Sequence, residues 1–276
     1  MNLRLVTSQP TVSSSSSPFI RLFGPLELAT GAQLPIAAKP RKLLVILALA
    51  AGDMLSSDVL TEELWGNDAP KSARITIQTY IYKLRKVQGL RQRIMTFSEG
   101  YVLQLSRGEV DIFNFIESIK AAEAYMNNGQ LGEAQQSLAM AYSLLRGPFL
   151  EGVDKSSPKL MRGSEWIDDY VRKMSIIRFK IALKLGRHVE ILEDLKAMWR
   201  ESPVSEDLAW LTMAALARAG RRAEATAIYQ ETRWALREKL GLDVSPQLGT
   251  VLRLILENEP LPPSMITLQS EEYPFD

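Results

Sequence analysis

Apolar residues fall into two textures along this chain. From Phe19 to Leu105 they come in short runs broken by Gly and Pro, and from Val110 onward they recur at helical spacing with no strand signal. In the first part IRLFGPLEL, with its Gly-Pro break, and QLPI, after the ATGA turn, read as short strands. Pro40 sits where an N1 proline belongs, and LLVILALAA then runs as a mostly buried helix until Gly52 stops it. Ser56 or Ser57 caps a second helix, DVLTEELW, which Gly66 ends. After the polar NDAPKSA comes the most strongly patterned stretch, Lys71–Lys86. There Ile77, Tyr80, Ile81 and Leu84 share one arc, the i, i+3, i+4, i+7 pattern of a buried helix face. The opposite arc carries Ser72, Ile75, Thr79, Tyr82, Lys83 and Lys86, with Thr76 on one shoulder and Arg74, Gln78 and Arg85 on the other. Gly89 breaks this helix, and IMTF, SEG and YVLQL then form a β-hairpin. Strand, strand, helix, helix, patterned helix, hairpin predicts an α+β winged helix-turn-helix, with Trp65 packed beneath the third helix.

Charge sharpens the third helix. From Lys71 through Ser98 there is no Asp or Glu, while Lys71, Arg74, Lys83, Arg85, Lys86, Arg91 and Arg93 all fall in that span. Solvated faces usually mix signs, so an acid-free basic face with hydroxyls and amides points to a polyanion lying in a groove. Arg74, at the helix start, either reads a base or pairs with Asp68 or Glu63. Thr76, Thr79 and Lys83 are the next candidates for base or phosphate contact, while Tyr82 stacks along the sugar-phosphate or covers the core edge. Lys86, Arg91 and Arg93 are assigned to phosphates, which position without specifying, and Lys71 and Arg85 complete the set. Lys39, Arg41 and Lys42 open the first helix, whose amino end either faces phosphate or is simply solvated. The hairpin tip, Ser98, Glu99 and Gly100, reaches the adjacent backbone or minor groove. Residues 19–108 carry a balance of +5 and residues 109–276 one of −5, an asymmetry that suggests two domains.

The second part is helical and repetitive. Gly186 and Gly220 lie 34 residues apart, and aligning them sets Glu190 on Glu224 and Leu195 on Tyr229. An earlier copy puts Gly129, Glu133 and Ala134 over Gly220, Glu224 and Ala225. That period, with Gly between paired helices and then Ala and a large residue four later, is the tetratricopeptide pattern of a solenoid with a protein-binding surface. The copies are imperfect, with Met213 or Ala214 where Gly would favour tight packing, so a divergent superhelix is expected. Trp166, Trp199, Trp210 and Trp234 are placed in its core, and His188 in a solvated turn.

Composition removes other classes. The chain of 276 residues has no Cys and one His, which leaves no disulfide, zinc–thiolate site or His-rich metal cluster, and suits a reducing cytosol. No nucleophile–base pair stands out, so no enzyme and no cofactor is expected. No apolar run approaches the roughly 18 residues of a membrane span, and the start lacks a secretory signal's apolar block. TSQPTVSSSSSP reads as a disordered leader, and EPLPPSMITLQSEEYPFD as a flexible tail.

The motifs FIRLFGPLEL, KPRKLLVILALAAG, LTEELWG, SARITIQTYIYKLRK, GYVLQL, VDIFNF, LLRGPFL, LGRHVEIL and ARAGRRAEATAIYQETRWALREKLGLDVSPQL occur in order over residues 19 to about 257. Together they make the chain resemble the SARP family, the Streptomyces antibiotic regulatory proteins. The resemblance implies a winged helix over 19–108 and a bacterial transcriptional activator, TPR-like domain over 109–258, flanked by the leader (1–18) and tail (259–276). It implies a cytoplasmic, nucleoid-associated activator of a secondary-metabolite cluster. Such a protein binds direct repeats in double-stranded DNA, head to tail, and brings in RNA polymerase. No G-x-x-x-x-G-K-[ST] loop occurs, so the chain looks like a short member. Ile75 departs from the basic residue common there, and Val244 from a common proline. The rival expectation is a TPR-type scaffold whose winged helix has lost DNA binding.

Overall fold

A computed structural model describes residues 18–29 and 34–261, so the expected leader up to residue 17 and the tail beyond Leu261 lie outside the described residues. Ile20–Arg21 (β1) and Glu27–Leu28 (β2) pair antiparallel, Ile20 opposite Leu28 and Arg21 opposite Glu27. The expected strand at QLPI does not form over Leu34–Ile36. Pro35 has no N–H to give a ladder, and the Ile36 N–H donates to the Leu34 carbonyl instead. Helix α1 (Ala38–Leu49) starts earlier than expected, capped at Ala37, with Pro40 the third helical residue rather than the first. The first turn still tolerates it, because those N–H groups have no intrahelical acceptor. Leu43 through Ala48 are all buried, which is why this helix reads as a continuous apolar run.

Leu55–Ser56 (β3) precedes α2 (Ser57–Trp65), where the Ser56 hydroxyl accepts the Val59 N–H at 3.2 Å. Helix α3 (Ala73–Arg85) follows, then Ile94–Thr96 (β4) and Gly100–Leu103 (β5). The sheet order is β3-β5-β4, all antiparallel, with Leu55 opposite Tyr101 and Ile94 opposite Leu103. A two-residue strand such as β3 is too short to show a period, and the sequence reading missed it. Among the described residues no strand follows Leu103.

The chain divides into two compact units, 1–122 with 136–172, and 123–135 with 173–276. The first holds the winged helix on a core of α1, Leu60 and Leu64 of α2, and Ile77, Ile81 and Leu84 of α3. It also takes in the start of α4 (Asp111–Asn127). The Asp111 carboxylate, buried, accepts the Leu22 N–H at 2.8 and 2.9 Å and the Phe23 N–H at 3.1 Å. Burial pushes its pKa up to about 6, against the opposing pull of those N–H groups. Phe23 packs edge-on to Phe115 and Phe149, with ring centroids 4.9 and 6.0 Å apart.

Helices make up the rest: α4, α5 (Leu131–Leu144), α6 (Pro158–Lys184), α7 (His188–Glu201), α8 (Glu206–Arg218), α9 (Arg222–Leu240) and α10 (Pro246–Glu257), with α8 packed against both α7 and α9. The turns hold Gly129, Gly186 and Gly220 at φ 77°, 75° and 75°, a left-handed conformation that only Gly adopts without strain. Ala134 and Leu138, Ile191 and Leu195, and Ala225 and Tyr229 are buried at equivalent positions, which explains the repeat. In the second unit the Trp199 indole N–H donates to the Thr232 hydroxyl at 3.0 Å inside the core of α7, α8 and α9. Trp234 contradicts the expectation of a core residue. Ala225, Ile228, Tyr229, Thr232, Ala235 and Leu236 take the inward positions of α9, and Trp234 falls between them, 66% exposed. His188 is the first residue of α7 and half-buried, not a solvated turn residue. No helix among the described residues is long and apolar enough to cross a membrane.

Candidate nucleic-acid interface

Helix α3 is held by Ala73, Ile77, Ile81 and Leu84, all buried, and Tyr80 stacks on Trp65 with ring centroids 6.3 Å apart. This seats Trp65 against the third helix, as the sequence implied. The opposite side forms a crest of Ile75, Thr79, Tyr82 and Lys86, at i, i+4, i+7 and i+11, all exposed. The Thr76 and Thr79 hydroxyls donate back to the Ser72 and Ile75 carbonyls at 3.0 and 3.1 Å. Lys86 lies over the Tyr82 ring, 4.5 Å from its centroid, so Tyr82 stands clear of the core. The side chains of Lys71, Lys83 and Arg91 are exposed and make no hydrogen bond or ion pair among the described residues. Arg74 pairs with Asp58 of α2 at 2.8 Å, not with Asp68 or Glu63. Both side chains are largely exposed, so the pair is worth little and the guanidinium is free to exchange partners.

Other basic residues are committed inward. Arg85 donates through Nε and Nη2 to the Ile94 carbonyl at 3.2 and 2.8 Å, and through Nη2 to the Thr96 hydroxyl at 2.8 Å. It ties α3 to β4 and so sets the hairpin's position. Arg93 donates to the Gln104 carbonyl at 3.1 Å, pairs with Glu109 at 2.8 Å and covers the Phe19 ring. Burial disfavours the Glu109 charge, but the Ser106 N–H and Arg93 outweigh it and hold its pKa below the ordinary value.

At the start of α1, Lys42 is 1% exposed and bonds Asp154 at 3.0 Å and the Ser156 hydroxyl at 3.1 Å, so it cannot meet phosphate. Its partners hold the Asp154 pKa down at about 2, the Ser156 N–H most strongly, then Lys42. Lys39 donates to the Leu64 carbonyl at the end of α2, and Arg41 to the Ile36 carbonyl at 3.2 Å.

The hairpin tip is also shifted from the expected one. Ser98 and Glu99 are exposed, but Gly100 is buried against β3, where a Cβ would lie 2.1 Å from the Leu55 carbonyl oxygen. Gly100 permits close strand approach and offers no side for a ligand. Phe97, half exposed, joins Ser98 and Glu99 at the tip instead. The sequence signal for it was weak, a lone aromatic after a short strand.

Three helices and a three-stranded sheet, with one face of α3 exposed, followed by a run of helices, define a class of architecture: a winged-helix domain joined to an all-helical one. The family described as bacterial transcriptional activator domain matches residues 110–256, and the one described as transcriptional regulatory protein, C terminal, matches residues 31–103. Regulatory protein AfsR of Streptomyces coelicolor is 32% identical over 240 residues, 84% of this chain and 23% of the relative. AfsR of Streptomyces griseus is 30% identical over 237 residues, 85% of this chain and 24% of the relative. The chain thus spans about a quarter of the length of these two relatives. Regulatory protein DnrI of Streptomyces peucetius is 29% identical over 238 residues, 82% of this chain and 86% of the relative. A solved structure, Mycobacterium tuberculosis EmbR in complex with low affinity phosphopeptide, matches with a TM-score of 0.81 at 24% identity, over 90% of this chain and 67% of that one, and speaks for the fold. The chain belongs to the bacterial transcriptional activator domain family and, by its two matched domains in this order, to the SARP group.

Proposed function

We propose that this chain is a sequence-specific DNA-binding transcriptional activator, without enzymatic activity, that serves a secondary-metabolite gene cluster. It acts in the cytoplasm, at the nucleoid. The observation that carries the reading is the outward face of α3 and its two ends, where Lys71, Lys83 and Lys86 are free of carboxylates and the crest is left exposed by every other described residue. Cations there release counterions from the phosphates, while the amino-terminal turn faces base edges. Copies bound to direct repeats are related by translation, so they meet head to tail through unlike surfaces. The helical domain faces the transcription machinery, RNA polymerase. Exposed Trp234 supports a protein contact there, since buried aromatic anchors dominate such interfaces.

Selection of bound duplexes from a random pool, followed by titration across salt, tests the reading. Enriched tandem repeats spaced by about one helical turn, with affinity per bound copy falling about 150- to 500-fold between roughly 50 and 200 mM salt, are the expected result. No enriched sequence and a flat salt response would refute it and leave a protein-interaction scaffold.

A further inference from the structure

Ile75 has no structural work to do. It is 67% exposed and lies on the side of α3 opposite the buried Ile77 and Leu84. A solvated isoleucine gains nothing from its own fold, and a β-branched residue is a poorer helix former than Lys or Gln would be there. Its surroundings sharpen the question. Thr79, one turn on, donates its hydroxyl hydrogen to the Ile75 carbonyl, and Tyr82 continues the line. The line therefore opens on an exposed aliphatic group, with the Thr79 methyl and the Tyr82 ring behind it, and has Arg74 on one side and Lys83 on the other. A cationic rim selects a polyanion, and an exposed aliphatic group needs an apolar group on that polyanion.

Duplex DNA offers one such group in the major groove, the C5-methyl of thymine. Position agrees with this assignment. Ile75 is the third residue of α3, in the amino-terminal turn that contacts base edges when such a helix enters the groove. Resting on the DNA-binding reading above, we infer that Ile75 is a specificity-determining residue that packs against a thymine methyl. The bound site then carries a thymine opposite the first turn of α3. Arg74, on the shoulder, sets the neighbouring position.

The test uses the full chain and the duplex recovered by selection, resynthesised with each thymine replaced in turn by deoxyuridine, which deletes only the methyl. Burial of one methyl-sized group corresponds to about a fourfold change in affinity. The expected result is a loss of that size at one or two positions for the unaltered chain, and none at those positions for Ile75→Ala. An exposed site makes misfolding of this variant an empty explanation, and an unchanged thermal melt checks it. If a sequence is recovered but every deoxyuridine is tolerated, or Ile75→Ala keeps the same sensitivity, the inference is overturned while the DNA-binding reading stands. If no sequence is recovered and binding ignores salt, the DNA-binding reading falls and takes this inference with it. The line would then face a protein.

Discussion

Replacing Arg85 by Ala removes three hydrogen bonds that fasten α3 to β4, those to the Ile94 carbonyl and the Thr96 hydroxyl. Bonds from a charged donor are worth about 1.5–3 kcal/mol each when buried, but Arg85 is half exposed and water replaces part of what is lost. The net cost is about 1–3 kcal/mol, well inside the roughly 5–15 kcal/mol that keeps a domain folded. The variant therefore folds, with its hairpin less firmly placed. On DNA, affinity falls while the salt slope stays the same, because Arg85 holds no phosphate. Lys83→Ala is the contrasting case: unfolding is unchanged, and the slope of log affinity against log salt drops by about 0.9. Fluorescence anisotropy at several salt concentrations, with urea unfolding alongside, measures both quantities. A unit loss of slope for Arg85→Ala with an unshifted unfolding midpoint would make Arg85 a phosphate ligand and refute its assignment as a brace.

Arg74→Ala should weaken binding to the selected site on the order of ten- to hundredfold and relax discrimination at one or two base pairs, with stability unchanged; equal discrimination in a repeated selection would show that Arg74 stays with Asp58. Asp111, raised to about 6 in the fold from an ordinary 3.8, binds more proton folded than unfolded between those values. Its contribution is therefore full below about pH 3.8, declines by about 3 kcal/mol as pH rises to about 6, and is flat above. The unfolding difference between the unaltered chain and Asp111→Asn, measured from pH 4 to 7, should track that decline, and a constant difference would refute it. Gly100→Ala should cost about 1–3 kcal/mol or more by forcing β5 off β3, and an unshifted urea midpoint would count against the close approach described.

What the sequence disclosed was whatever depends on neighbours within a few residues. The inward stripe of α3, the Ser56 cap and the Gly turns at 186 and 220 are local signals, and each could be read directly. What it hid depends on partners far along the chain. Lys42 looked like a solvated helix start because Asp154, its partner, lies 112 residues on. Arg85 looked like another groove-facing cation because a backbone carbonyl, Ile94, leaves no mark in a side-chain pattern. Gly100 reads as a hairpin tip because glycine marks turns and close backbone approach alike, and only the register with Ser56 tells them apart. Trp234 misled for a related reason: helical spacing from other tryptophans does not fix which face of α9 is inward, whereas Ile228, Tyr229, Thr232 and Leu236 do.

The partners that basic side chains find inside the fold set a measurable number, the salt dependence of DNA binding. Ten basic side chains were candidates for the DNA face: Lys39, Arg41, Lys42, Lys71, Arg74, Lys83, Arg85, Lys86, Arg91 and Arg93. If each neutralised a phosphate, the salt slope would be about nine per bound copy. Lys39, Arg41, Lys42, Arg85 and Arg93 are instead held by the protein itself. Lys71, Lys83, Lys86 and Arg91 remain, with Arg74 added if it leaves Asp58 on binding. Four or five contacts give a slope of about 3.6 to 4.5 per copy, and this is the value to expect on a single half-site. A slope near nine would require the hairpin brace and the α1 contacts to break on DNA, so that the fold seen here would not be the bound one. A slope under about two would mean that the crest of α3 does not lie along the backbone.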